Sequence, residues 1–194
     1  MFSLFNFLTY AVITAITPGP NNIMSMSIAR QYGFKRALPF NLGVFTGFSV
    51  VILICTYLFN LLSSVIPVIK SLMIILGAIY MLYLAWKTLT HSSEIAEDHS
   101  QSGFLNGFIL QFVNPKIYLY CMISMEVYIL PYFSGYPLIL FAFALLLSLI
   151  GFCFTLCWSI FGSLFQKLFS THARLINIIL ALLLIYCAVA LFFE

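Results

Sequence analysis

Two short runs hold most of the unusual chemistry in this chain: Thr17-Pro18-Gly19-Pro20-Asn21-Asn22 and Gln111-Phe112-Val113-Asn114-Pro115-Lys116. Each sets proline and amide side chains inside an otherwise apolar stretch, and the second adds a lysine. Proline removes a backbone N–H and clashes with the preceding turn, so a helix that meets it bends or stops. Thr17-Pro18 and Asn114-Pro115 also read as restart signals, a capping side chain followed by proline at the first helical position. The N-terminus of each restarted half-helix carries roughly half a positive charge and free N–H groups. With Lys116 one residue beyond the second proline, the runs predict an anion-attracting pocket suited to a carboxylate. Asn21, Asn22, Gln111, Asn114 and the carbonyls freed at the breaks are neutral acceptors for an ammonium group. The candidate binding residues are therefore Thr17, Pro18, Gly19, Pro20, Asn21, Asn22, Gln111, Asn114, Pro115 and Lys116, and the ligand they suit is a small neutral zwitterion.

The elements that position these runs follow from composition. Of 194 residues 63% are hydrophobic and only 7% charged, against roughly 25% charged in a soluble domain. The solvent for such a surface is lipid, and the expected fold is an all-α integral membrane protein. Six segments approach the ~20 apolar residues that cross the hydrocarbon: 4–28, 38–62, 68–89, 104–127, 137–160 and 174–193. The first lacks the basic start and small-residue cleavage site of a secretory signal, so it reads as a retained span. The separators are 30–36, 63–67, 91–102, 128–136 and 166–172. The 91–102 stretch, with Glu94, Glu97 and Asp98, is the one plainly hydrophilic segment, a linker between halves 1–90 and 103–194 of a single transporter domain.

Three spans per half make equivalent spans run in opposite directions. The breaks fall in the first span of each half, so the chain reads as two inverted three-helix repeats with broken first and fourth helices. Paired interruptions of this kind point to a transporter site at the repeat interface. Asn114 lies ~15 Å into its span and Pro18 ~21 Å into its own, at 1.5 Å per residue. Unwound backbone at that depth is tolerated where it is buried or lines a cavity. A lysine there costs at least ~2.5–3.5 kcal/mol unless it finds a partner or water. Arg30, Lys35, Arg36, Lys87, Lys167 and Arg174 fall on one side of the spans and Lys70 on the other. The richer side is expected in the cytoplasm, with both termini outside.

Other residues bound the chemistry. His91, His99 and His172 lie in separators, and Glu126, near the end of span four, is the one acid within a span. A dicationic substrate would want a carboxylate in low dielectric, so a neutral one is favoured. Coupling to protons has only Glu126 or water-mediated titration of Lys116 as candidates; a facilitator driven by the substrate gradient is equally open. Asn41 either bonds across helices or lines the path, and Tyr118 is a path candidate. Gly43-x-x-x-Gly47 permits close helix packing, expected within the chain, with a homodimer face as the alternative. Five scattered cysteines without a C-x-x-C read as buried small residues. No cofactor or metal motif is present, and the dispersed basic residues argue against nucleic acid. The expected partners are the lipid bilayer and a small-molecule substrate, and the chain is expected to be a transporter and not an enzyme.

These residues resemble the LysE/RhtB amino-acid exporter superfamily. The resemblance rests on Thr17-Pro18-Gly19-Pro20-Asn21 after one short apolar segment, on 30–36 with Gly33-Phe34, on Gly43 to Gly47, and on Gln111 to Lys116. It covers essentially the whole chain. It implies six spans, amino-acid export across the bacterial plasma (inner) membrane, and functional roles for Pro18, Gly19, Pro20, Asn21, Asn114, Pro115 and Lys116. The runs Leu110 to Asn114, Cys157-Trp158, Leu164-Phe165-Gln166 and 177–189 are similar to the branch that exports cysteine and O-acetylserine. Export of homoserine, threonine or leucine is the alternative, and a membrane thiol-redox conduit the distant one.

Overall fold

The structure is a computed structural model, described here for residues 2–57, 75–76, 78–83, 85–86, 88–89, 103–164 and 173–190. Its described elements are helical: α1 (Leu4–Ile16), α2 (Pro20–Tyr32), α3 (Phe34–Tyr57), α4 (Phe104–Val113), α5 (Pro115–Ile123), a π-helical turn (Ser124–Ile129), α6 (Leu130–Phe133), α7 (Pro137–Leu164) and α8 (Ala173–Ala190). Described residues between 75 and 89 are helical as well. Lys70, Lys87, Lys167, the 63–67 separator, the 91–102 linker with its acids and histidines, and His172 lie outside the described residues.

Each predicted break is present. Ser3 starts α1 by accepting from the Asn6 N–H at 3.3 Å. The first restart comes two residues later than expected: Thr17 turns extended and ends α1 without capping α2, which starts with Gly19 as its N-cap and Pro20, not Pro18, at its first position, because Pro18 stays outside the helix. At the second break a single extended residue, Asn114 (φ −89°, ψ 102°), ends α4 and starts α5. α1 with 13 residues and α4 with 10 are about 20 and 15 Å long. Each is apolar but shorter than the ~30 Å hydrocarbon layer. α3 and α7, at 24 and 28 residues with mean hydropathy 2.0 and 2.6, are long and apolar enough to cross unbroken.

Two boundaries differ from the sequence reading. The 30–36 separator shrinks to Gly33, whose φ of 85° is a conformation that L side chains rarely adopt. Lys35 and Arg36 were read as loop for their charge, yet they form the exposed first turn of α3, since both are good helix formers. The 128–136 separator is helical through Phe133. Pro131 lacks the N–H that would bond the Val127 carbonyl, and the chain absorbs that loss in the π-helical turn just before it.

Burial runs opposite to that of a soluble domain. Ser25, Asn41, Gln111, Ser124, Ser148 and Ser159 are fully buried, while Phe5, Leu138 and Leu164 are more than 70% exposed. Polar groups facing inward and apolar ones outward suit a lipid solvent. α3 and α4 touch backbone to backbone. A Cβ on Gly43 would strike the Phe104 carbonyl, and one on Gly107 the Phe40 carbonyl. The Gly43/Gly47 face is thus spent inside the chain, as expected. α2 is held differently. Ser25 donates to Asn41 Oδ1 (2.6 Å), Asn41 Nδ2 donates to Ser159 Oγ (2.9 Å), and the two serine hydroxyls lie 2.7 Å apart. This ring ties α2, α3 and α7 together, and Gly162 of α7 lets the Met26 carbonyl of α2 approach closely.

Candidate functional site

A helix that stops in lipid leaves carbonyls that water cannot reach. At the end of α1 they are accepted for by donors from four other elements. Asn22 Nδ2 on α2 donates to the carbonyls of Ala15 (2.9 Å) and Thr17 (3.0 Å). Trp158 Nε1 on α7 donates to Ile16 (3.2 Å). Cys187 Sγ on α8 donates to Pro18 (3.4 Å). The Lys116 ammonium on α5 donates to Thr17 Oγ1 (2.8 Å), the Thr17 carbonyl (3.1 Å) and the Pro18 carbonyl (3.3 Å). Gly19 makes room for that reach: a Cβ there would lie 3.1 Å from Lys116 Cδ and 3.2 Å from Nζ.

The second break supplies matching donors. Asn21 and Gln111 pair reciprocally, Asn21 Nδ2 to Gln111 Oε1 at 2.8 Å and Gln111 Nε2 to Asn21 Oδ1 at 3.1 Å. Asn114 Nδ2 also donates to Asn21 Oδ1 (3.3 Å), while Asn114 Oδ1 caps α5 by accepting from the Lys116 N–H (3.2 Å). No side chain caps the N-terminus of α2. Its first-turn N–H groups are the ones left for an anion.

Between the breaks lies a cavity of about 40 Å³ lined by Thr14, Ala15, Gly19, Pro20, Asn21, Asn22, Val44, Phe48, Asn114, Lys116, Ile117, Tyr120, Gly151 and Thr155. The lining combines amide, hydroxyl and ammonium side chains with Val44, Phe48, Ile117 and Tyr120, and the surface it presents is mostly apolar. That volume holds a few waters, so an amino acid enters only with some movement of the lining. Among the described residues Glu126 is the sole acid, and it is exposed on the π-helical turn, apart from the cavity lining.

The structure thus gathers Thr17, Pro18, Gly19, Pro20, Asn21, Asn22, Gln111, Asn114, Pro115 and Lys116 around one junction, with Thr17, Pro18, Gln111 and Pro115 outside the cavity lining itself. Asn41 belongs to the buried α2–α3–α7 ring. Tyr118 turns its hydroxyl back to the Phe112 carbonyl (3.1 Å), covering the end of α4. Its neighbour Tyr120 lines the cavity instead. Sequence reasoning missed Trp158, Thr155, Tyr120, Phe48 and Cys187 as parts of the site. Thr155 Oγ1 lies 3.2 Å from Asn22 Oδ1. None of the cysteines forms a disulfide; Cys55 and Cys121, both buried, lie in one apolar cluster across α3 and α5, a proximity that spacing alone does not show.

The family model described as LysE type translocator matches residues 12–194. A cysteine/O-acetylserine efflux protein of Salmonella choleraesuis (strain SC-B67) is 42% identical over 190 residues, covering 96% of each chain. One of Escherichia coli (strain K12) is 40% identical over the same length and coverage. No solved structure matches the chain. A full-length match to such relatives, together with two half-helices meeting inside an apolar helical bundle, leaves one assignment: the chain belongs to the LysE type translocator family of membrane transport proteins.

Proposed function

We propose that the chain exports small neutral amino acids, with cysteine and O-acetylserine as the first substrates, through the cavity between the two helix breaks. The observation that carries this reading is the Lys116 ammonium seated on the Thr17 and Pro18 oxygens beside the uncapped N-terminus of α2. That arrangement offers acceptors for an ammonium and donors for a carboxylate within one small hollow. The side chain of cysteine or O-acetylserine would lie against Val44, Phe48 and Tyr120. A basic substrate would bury a second cation without an anion, which low dielectric penalises heavily. The names of the relatives at 40–42% identity support the same substrates.

The reading includes six spans as two inverted repeats, one transport domain, the bacterial inner membrane, and both termini outside. Arg30, Lys35 and Arg36 at the α2–α3 turn support that orientation. A homodimer would use lipid-facing surface, because α4 occupies the Gly43/Gly47 face. The test is efflux from proteoliposomes loaded with cysteine, O-acetylserine, threonine or lysine, with and without a pH gradient. The first two leave fastest if the reading holds; preferred export of lysine refutes it. The Cys55–Cys121 proximity is the one observation that favours a thiol-redox conduit. Full export by a variant with both cysteines changed to serine would remove that reading.

A further inference from the structure

Lys116 is not disposed to receive a carboxylate in this structure. Its three N–H groups face three oxygens, Thr17 Oγ1, the Thr17 carbonyl and the Pro18 carbonyl, and an ammonium has three protons to give. The other carbonyls of the break, at Ala15 and Ile16, are held by an amide and an indole, both neutral. The position that best suits a cation at the end of α1 is therefore already filled by a cation from α5.

We propose that Lys116 is a tethered stand-in for the substrate's ammonium, and that the substrate binds by exchanging with it. This rests on the export reading above. A zwitterion whose carboxylate meets the uncapped N-terminus of α2 brings its ammonium to the Thr17 and Pro18 oxygens. Two ammonium groups cannot share three acceptors, and their like charges repel in low dielectric. Lys116 leaves, and the incoming carboxylate is the nearest anion to receive it. Gly19 leaves the space in which the side chain swings. In this arrangement the Lys116 charge is paired with the Thr17 and Pro18 oxygens. Selection also follows: an acid without an ammonium leaves Lys116 in place, and an amine without a carboxylate ejects Lys116 with nothing to receive it. Thr17, through Oγ1, becomes the residue that recognises the ammonium.

The experiment is equilibrium binding of radiolabelled cysteine, O-acetylserine, cysteamine (an amine without the carboxylate) and N-acetylcysteine (an acid without the ammonium) to purified full-length protein. Wild type should bind O-acetylserine and neither analogue. Lys116→Met removes the cation from these oxygens and leaves only the neutral Asn22 and Cys187 donors, so cysteamine binding should tighten by on the order of tenfold or more, the scale of one charge-assisted contact set, while O-acetylserine binding weakens. Lys116→Arg keeps a cation in place and should still exclude cysteamine. Lys116→Gln serves in place of the methionine variant should that one aggregate. If the neutral variants bind cysteamine no better than wild type, or the arginine variant binds it as well as they do, the exchange is refuted. If wild type binds neither cysteine nor O-acetylserine, the export reading itself fails. Binding of both amino acids without the gain in cysteamine defeats the exchange alone.

Discussion

The two helix breaks look alike in sequence and differ in chemistry. The first spreads over Thr17, Pro18 and Gly19, leaves α2 without a capping side chain, and depends on donors from α2, α5, α7 and α8 to cover its carbonyls. The second is a single residue, Asn114, which caps its own following helix through Oδ1. Having settled itself locally, it sends Lys116, Gln111 and its own amide across to the first. Apart from the reciprocal Asn21–Gln111 pair, the first break offers carbonyls and the second sends the ammonium that meets them, so the two breaks join as complements and not as copies. Their supports differ too: glycine contacts hold α4 to α3, and a ring of serine and asparagine side chains holds α2 to α3 and α7.

The largest expected effect comes from removing the one charge that joins the breaks. Lys116→Ala strips an ammonium and leaves the Thr17 and Pro18 oxygens short of a donor, a loss of about 2–4 kcal/mol in ligand binding. Proteoliposome efflux should fall on the order of a hundredfold with membrane insertion unchanged. Near-normal efflux would remove Lys116 from the site. Gly19→Ala tests the same contact without deleting it. The new methyl would crowd Lys116 at 3.1–3.2 Å, so efflux should drop by about tenfold, an over-packing cost near the low end of 1–3 kcal/mol.

Next come the supports and the bridge. Gly43→Ala should lower the melting temperature in detergent clearly, by over-packing worth about 1–3 kcal/mol, whereas Gly135→Ala, with open space around it, serves as the reference. Equal effects at the two positions would deny the α3–α4 backbone contact. The Asn21–Gln111 pair predicts a double-mutant cycle in which the two alanine substitutions are less than additive by about 0.5–3 kcal/mol. Strict additivity would mean that the breaks do not communicate through these amides. The smallest effect belongs to Asn41→Ala. It should lower stability by about 1–3 kcal/mol, as a buried network partner lost, while the ranking of substrates stays fixed. A changed ranking would return Asn41 to the transport path.

Much of this was legible before any coordinates. Both breaks announce themselves because proline acts on its own neighbours, and Thr17, Asn21, Gln111, Asn114 and Lys116 sit within a turn or two of those prolines. What stayed hidden depends on which helix lies against which. Trp158 and Cys187 reach carbonyls more than a hundred residues away in sequence, and no local pattern encodes that pairing. Tyr118 and Tyr120 are two positions apart on one helix and point about 200° apart, so the side of α5 that packs inward decides that Tyr120 faces the cavity while Tyr118 serves the backbone. Charge misled at Lys35 and Arg36, where polar residues suggested a loop but one glycine makes the turn.

The claim on which the rest hangs is that ligand sits where the broken ends meet. An experimental density map of the protein in a nanodisc with O-acetylserine bound would test it directly. The expected result is the ligand between Thr17–Asn22 and Asn114–Lys116, its ammonium on the Thr17 and Pro18 oxygens and its carboxylate toward the start of α2. Ligand density elsewhere in the bundle, or continuous helices through Pro18 and Pro115, would contradict the account.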